Sequence, residues 1–322
     1  MIGRCMQKAP GVLLAVFGVL FLTACASAPL QYTEVIGDDS PYQDTIELTQ
    51  TPFYPQEEFQ CGPAALATVL QVSGVTDADP DVLADQVYLP ERRGSLQMEL
   101  LGATRRADRV PYVMAPNIES LLTELYAGNP VLVLQNLGLP RWPVWHYAVV
   151  IGINPLDEEV ILRSGTNERE VMSLRRFERT WQMGRYWGLV VTEPGQIPMS
   201  ADPLRYFEAI APLEQQQRFS TAIAAYEAAA ERWPEEATSY IGLGNIAYLQ
   251  ERYADAELHY YHAAELAPEY APVFYNLAWA LLRQGKSDSA RQAAEHAQQL
   301  APEHPRFGKA LTAIEEALAS DA

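Results

Sequence analysis

The sequence predicts an α+β domain followed by an all-α repeat domain, on three observations. Between Ile46 and Pro194, helix-period segments come first and short apolar strand runs come later, the order of an α+β arrangement. In the last third, Pro234, Pro268 and Pro302 stand 34 residues apart, the mark of a stacked repeat. The composition, 48% hydrophobic and 20% charged over 322 residues, supplies enough apolar surface for two cores and excludes wholesale disorder or a multi-pass membrane protein. Lys and Arg number 23 against 41 Asp and Glu, a net charge of −18 that repels phosphate backbones and argues against a nucleic-acid partner. Five His and three Cys are too few for a disulfide scaffold or a multi-metal site. No zinc spacing, P-loop or dinucleotide fingerprint is present, so neither metal nor cofactor is expected.

In chain order, residues 1–24 read as a signal peptide. Arg4 and Lys8 open it, the apolar run Gly11–Phe21 is too short to span a bilayer, and Leu22-Thr23-Ala24-Cys25 ends it in small residues. That ending resembles the bacterial lipobox, which implies that Cys25 is acylated and becomes the first residue of the mature chain. Ala26 and Ser27, rather than Asp, follow it; the resemblance then implies anchoring in the outer membrane, facing the periplasm. Residues 25–45, polar and turn-rich at Gly37-Asp38-Asp39-Ser40-Pro41, read as a linker. Cys5 leaves with the signal and Cys25 carries lipid, which leaves Cys61 as the only thiol. A lone thiol in an oxidising compartment is a liability that a functional role would explain.

Residues 46–195 form the α+β domain. A helix starts at Cys61-Gly62-Pro63-Ala64, with Pro tolerated in its first turn. Ser95 is expected to cap a helix from Leu96 to Arg106, and Asn117 one reaching Ala127 with Gly128 beyond it. Strands are expected at Tyr112–Met114, Val131–Leu134, His146–Ile153, Glu159–Arg163 and Tyr186–Thr192, with a turn at Asn154-Pro155-Leu156-Asp157. A helix carrying Phe177 and Trp181 inward precedes the last strand. Arg92-Arg93, Arg105-Arg106 and Arg175-Arg176 read as solvated faces, and Trp142 and Trp145 as either a groove wall or core.

Residues 203–304 carry three helix-turn-helix units. Tyr240, Leu243, Gly244, Ala247, Ala256, Tyr260 and Ala263 recur one period later as Phe274, Leu277, Ala278, Leu281, Ala290, Ala294 and Ala297, and more weakly one period earlier. This pattern resembles the tetratricopeptide repeat. Small residues such as Gly244 let paired helices approach, and each Pro ends a helix so that the next can turn back. Residues 305–320 read as the capping helix. The first helices of the units offer Tyr206, Tyr240, Asn245, Tyr248, Tyr275, Asn276 and Trp279 to a concave face, where the matching Asn245 and Asn276 suit an extended peptide backbone.

The candidate chemistry sits at Gln56, Cys61 and His146. A cysteine that opens a helix has its sulfur among backbone N–H groups, and the helix dipole favours the thiolate, which predicts a lowered pKa. His146 at a strand start suits a general base that then protonates a leaving amine. The Cys61 N–H and the Gln56 amide suit an oxyanion hole. A helix-borne Cys followed by a strand-borne His is the papain-type order.

The segments Pro52-Phe53-Tyr54-Pro55-Gln56 to Leu66 and Trp145-His146-Tyr147-Ala148-Val149-Val150-Ile151-Gly152 resemble the peptidase C39-like domains, relatives of double-glycine leader peptidases with a papain-like fold. The resemblance implies Cys61 as nucleophile, His146 as base and Gln56 in the oxyanion hole. The family's Asp-Pro after the His is missing, because Leu162-Arg163-Ser164-Gly165-Thr166-Asn167 holds no carboxylate. Centring the turn near 155–156 puts a residue near 165 opposite His146, which leaves Ser164, Thr166 or Asn167 to orient the imidazole. Asn154 lies about 26 Å along the strand at ~3.3 Å per residue and cannot do so. The expected function is a membrane-anchored periplasmic cysteine peptidase whose repeats recruit a peptide or protein substrate or a partner. Its alternatives are a catalytically weak peptide-binding domain and an acyl transferase with the same Cys-His chemistry.

Overall fold

A computed structural model describes residues 30–37, 39–55 and 60–320. Its architecture follows from one antiparallel sheet, whose strands β4 (Val110–Val113), β5 (Val131–Asn136), β6 (Trp145–Asn154), β7 (Glu159–Ser164), β8 (Asn167–Ser173) and β9 (Gly188–Thr192) lie in the order β4-β9-β5-β6-β7-β8. The short β1 (Ile46–Glu47) extends the sheet by pairing with the far end of β6. The apolar runs predicted as strands are all present, within two residues at each end. β8 is an additional strand, beyond those expected from the apolar runs.

Alternate residues of β6 feed two cores. Tyr147, Val149 and Ile151 pack with α2 (Cys61–Val72), α3 (Pro80–Val87) and α4 (Gln97–Arg106) on one face. Ala148, Val150 and Ile153 pack on the other face with α5 (Ile118–Tyr126) and α6 (Leu174–Met183), whose Phe177 and Trp181 are wholly buried. Asn117 caps α5 by accepting from the Ser120 N–H at 2.7 Å. Ser95 does not cap α4. It pairs with Tyr88 in a two-stranded ribbon, β2 (Tyr88–Leu89) with β3 (Gly94–Ser95), and its hydroxyl packs against Gly62. Arg105 is not on a solvated face either: it is buried, with Nε donating to the Ala209 carbonyl at 3.4 Å.

Part of the stretch read as a linker is folded. Tyr32–Val35 forms a helical turn, α1, and the backbone N–H groups of Gln31 and Tyr32 donate to the Glu178 carboxylate at 2.6 and 3.0 Å.

The C-terminal region is a run of paired helices: α7 (Pro203–Gln215) with α8 (Phe219–Arg232), α9 (Ala237–Leu249) with α10 (Tyr253–Leu266), α11 (Ala271–Leu282) with α12 (Ser287–Leu300), then α13 (Pro305–Ser320). A Cβ at Gly244 would meet the Tyr260 ring at 2.6 Å, so the small residue is required by close approach of α9 and α10. The first pair does not stand apart from the sheet. Tyr206, Phe207 and Ile210 of α7 share one core with Tyr112 and Val190. The Tyr112 hydroxyl donates to the Ser200 carbonyl at 3.1 Å, and Asp108 takes Arg218 at 2.6 Å and the Thr221 hydroxyl at 3.1 Å.

Candidate active site

Helix α2 is apolar on nearly every side, so it runs through the core with Gly62 to Leu70 buried and presents its first residue, Cys61, at its exposed end. Gly62 sits there because a Cβ would collide with the Ser95 side chain at 2.5 Å. The half-buried Cys61 thiol packs beside Tyr147, and the backbone N–H groups of Tyr147, Gly62 and Cys61 itself face its sulfur and favour the thiolate. Tyr147 follows His146 in β6, so the helix start and the strand bearing the imidazole meet at one strand edge.

His146 Nε2 lies 3.0 Å from the Ser164 hydroxyl. The pairs Val149–Arg163 and Val150–Leu162, extended by one step, put Ser164 opposite Ala148, which shares a sheet face with His146. Of the three orienting candidates, Ser164 is brought to the imidazole; Asn167 instead pairs with Ser164 in the next hairpin, and Thr166 lies in that turn. Ser164 can accept from or donate to Nε2; in the tautomer that carries the proton on Nε2, Nδ1 is the lone pair left to take a proton. Behind His146, its cross-strand partner Gln135 is buried and donates through Nε2 to the Thr180 hydroxyl at 2.7 Å. Gln135 was not singled out in the sequence, although a polar residue closing the apolar run Val131–Leu134 was a usable signal.

The electrostatics differ from the expectation at Cys61. Burial pushes its thiol up, and the three backbone N–H groups pull it down by less. Burial likewise pushes His146 below its ordinary value, with Glu170 acting weakly the other way. Both shifts run toward the uncharged forms, thiol and imidazole. Gln56 and Cys25 lie outside the described residues.

In the repeats, Glu214, Asn245, Tyr248, Tyr275, Asn276 and Trp279 line a cavity of about 500 Å³. Asn245 and Asn276 are not left free for a ligand. Asn245 Oδ1 accepts from Asn276 at 3.1 Å and from the Tyr260 hydroxyl at 2.9 Å, and its Nδ2 donates to Glu214 at 3.2 Å. They bridge three successive helix pairs. Tyr206 and Tyr240 pack elsewhere, Tyr206 in the core against Trp233 and Tyr240 against His262.

Comparison with known proteins agrees with this division. The model described as Peptidase_C39 like family matches residues 48–187, and models described as Tetratricopeptide repeat match 213–271 and 247–314. A Bacillus anthracis structure described as a C39-like peptidase is 19% identical, covering 46% of this chain and 98% of its own, with TM-score 0.38. The second TPR domain of human RPAP3, in complex with the HSP70 peptide SGPTIEEVD, is 19% identical over 35% of this chain and 93% of its own, TM-score 0.33. The Yersinia enterocolitica chaperone SycD with a YopD peptide is 20% identical over 38% and 95%, TM-score 0.34. No curated protein sequence matches the chain.

Proposed function

From a chain that joins a peptidase C39-like domain to tetratricopeptide repeats, we propose a lipid-anchored thiol peptidase that cleaves a peptide or protein substrate through Cys61 and His146. The observation that carries this reading is the meeting of Cys61, at the head of α2, with the β6 edge that bears a Ser164-bonded His146.

The thiol proton passes to His146 Nδ1 as Sγ bonds to the substrate carbonyl carbon. The oxyanion takes the Cys61 N–H and the Gln56 amide. His146 then returns the proton to the departing amine, which leaves a thioester. Water, deprotonated by the same nitrogen, attacks the thioester and releases the acid and the free thiol. Ser164 holds the ring through Nε2, accepting from Nε2–H in the tautomer that leaves Nδ1 free for this sequence.

Acylation of Cys25 would hold the domain at the periplasmic side of the outer membrane, and the repeats would recruit the substrate or a protein partner through the cavity at Trp279. No described helix is long and apolar enough to cross a membrane.

A second reading is favoured by the raised thiol, the lowered imidazole and the neutral Ser164: a catalytically weak domain that grips an extended peptide. One experiment divides them. A peptide library digested by the wild type but not by Cys61→Ala, at equal thermal stability, supports the peptidase; peptide capture without cleavage by both supports the binding domain. Equal digestion by both overturns Cys61 as nucleophile. Cys25→Ser should release the chain from membranes, and an unlipidated wild type would overturn the anchor.

A further inference from the structure

We propose that the β5–β6 hairpin tip, Leu137 to Trp145, docks on a zwitterionic phospholipid surface and seats the active-site end of the sheet against the membrane. Five large apolar side chains stand out in solvent there: Leu137 is 45% exposed, Leu139 61%, Trp142 68%, Val144 58% and Trp145 52%. Large apolar side chains gathered in solvent on one hairpin mark an interaction site.

The tip is built rather than loose. Leu139 and Trp142 exchange backbone hydrogen bonds at 3.2 and 3.0 Å, and the Leu137 N–H donates to the Val144 carbonyl at 2.9 Å. Asn136 Oδ1 accepts from Gly138 and Val144 at 3.0 and 2.9 Å, and a Cβ at Gly138 would strike the Trp142 carbonyl. A rigid turn therefore holds its apolar side chains outward, a convex shape that enters an interface rather than a groove that wraps a peptide.

Its chemistry suits lipid. Tryptophan pairs an apolar body with an N–H and settles at the headgroup level. Arg141 is the only charged residue from Leu137 to Tyr147, and its guanidinium lies 5.5 Å from the Trp142 ring centre, which puts one cation beside the aromatic ring. On a chain of net charge −18 the tip is free of acidic groups, while the rest repels an anionic surface, so a zwitterionic one is the match.

The chain's start points the same way. Gln31 and Tyr32 are docked on Glu178, two residues from the Thr180 that bonds Gln135 at the base of this hairpin. Cys25 is six residues before Gln31, at most about 20 Å of chain. Only this tether argument rests on the lipid-anchored reading.

The test uses the mature chain with Cys25→Ser, which has no acyl groups, mixed with phosphatidylcholine vesicles carrying brominated acyl chains. The tip predicts tryptophan quenching and co-flotation, with flotation cut about tenfold or more by Trp142→Ser with Leu139→Ser, weakened by added anionic lipid, and untouched by Cys61→Ala. Absence of quenching and flotation overturns the proposal. So does a double variant that floats like its parent, or one that only raises KM for peptide, which would make the tip a peptide-gripping surface. Because flotation needs neither Cys61 nor Cys25, its failure is separate from failure of the peptidase reading.

Discussion

Replacing Ser164 by Asp should shift the pH at which Cys61 becomes reactive. Ser164 is 7% exposed and its hydroxyl lies 3.0 Å from His146 Nε2, so a carboxylate there faces the imidazole across little water. Two opposite charges about 4 Å apart attract by about 4 kcal/mol at an effective dielectric of about 20. Desolvating the new carboxylate cancels most of that, which leaves on the order of 1.4 kcal/mol, about one pH unit. The sign follows from the resting state. His146 is held below its ordinary value by burial, the carboxylate raises it, and in the proposed proton transfer an imidazolium favours the Cys61 thiolate. Iodoacetamide alkylation followed from pH 5 to 10 should therefore show a midpoint about one unit lower in Ser164→Asp than in the wild type. Ser164→Asn, neutral and of similar size, should leave the midpoint in place, and Ser164→Ala should lower peptide turnover about 2- to 10-fold through loss of one hydrogen bond. An unmoved or raised midpoint in Ser164→Asp, with the fold intact by circular dichroism, would refute the role of Ser164 as the residue that orients His146.

Three further outcomes follow from the same geometry. Burial raises the Cys61 thiol, so wild-type alkylation should climb only above the ordinary thiol range of about 8.5, and fast alkylation near pH 6 would contradict the neutral resting pair. Gly244→Ala drives a Cβ into the Tyr260 ring and should cost about 1–3 kcal/mol in urea unfolding; a neutral result would mean that α9 and α10 slide apart freely. Burial raises the Glu214 carboxyl against the hydrogen bonds from Tyr226 and Asn245. A raised folded-state value gives stability that is full below the unfolded value of 4.5 and is lost as pH rises through the folded value. Glu214→Gln should flatten that fall, as measured by thermal melts across pH 4 to 8.

Cys61 and His146 stand out in the sequence because each sits where a period begins: a helix opening on Cys-Gly-Pro and an apolar strand opening on His-Tyr. Ser164 is left as one of three because counting from the turn assumes an unbroken ladder. A bulge between Val150 and Gly152 shifts the β6–β7 pairing by one residue. β8 escaped notice because Asn167-Glu168-Arg169-Glu170 carries no apolar alternation, being exposed on the sheet's outer edge. The Cys61 shift runs against the expectation because a helix start is visible in sequence while the burial that outweighs it comes from residues distant in the chain, such as Tyr147. Asn245 and Asn276 were rightly marked as unusual in helix interiors, but only packing reveals that the two amides face each other.

The shared core between α7 and the sheet changes how the repeat array begins. Stacked repeats gain stability from neighbours, and an array with a bare first helix needs a polar cap there to stay soluble. Here the face of α7 that would need capping is covered by Tyr112 and Val190 of the α+β domain. The sheet is thus the array's first neighbour, and the pairs beyond it can loosen progressively from α13 inward while α7 and α8 open only when β4 and β9 do. Native-state hydrogen exchange should show a gradient of protection rising from Ile314 toward Ile210, with Ile210 and Val190 exchanging together as one cooperative unit.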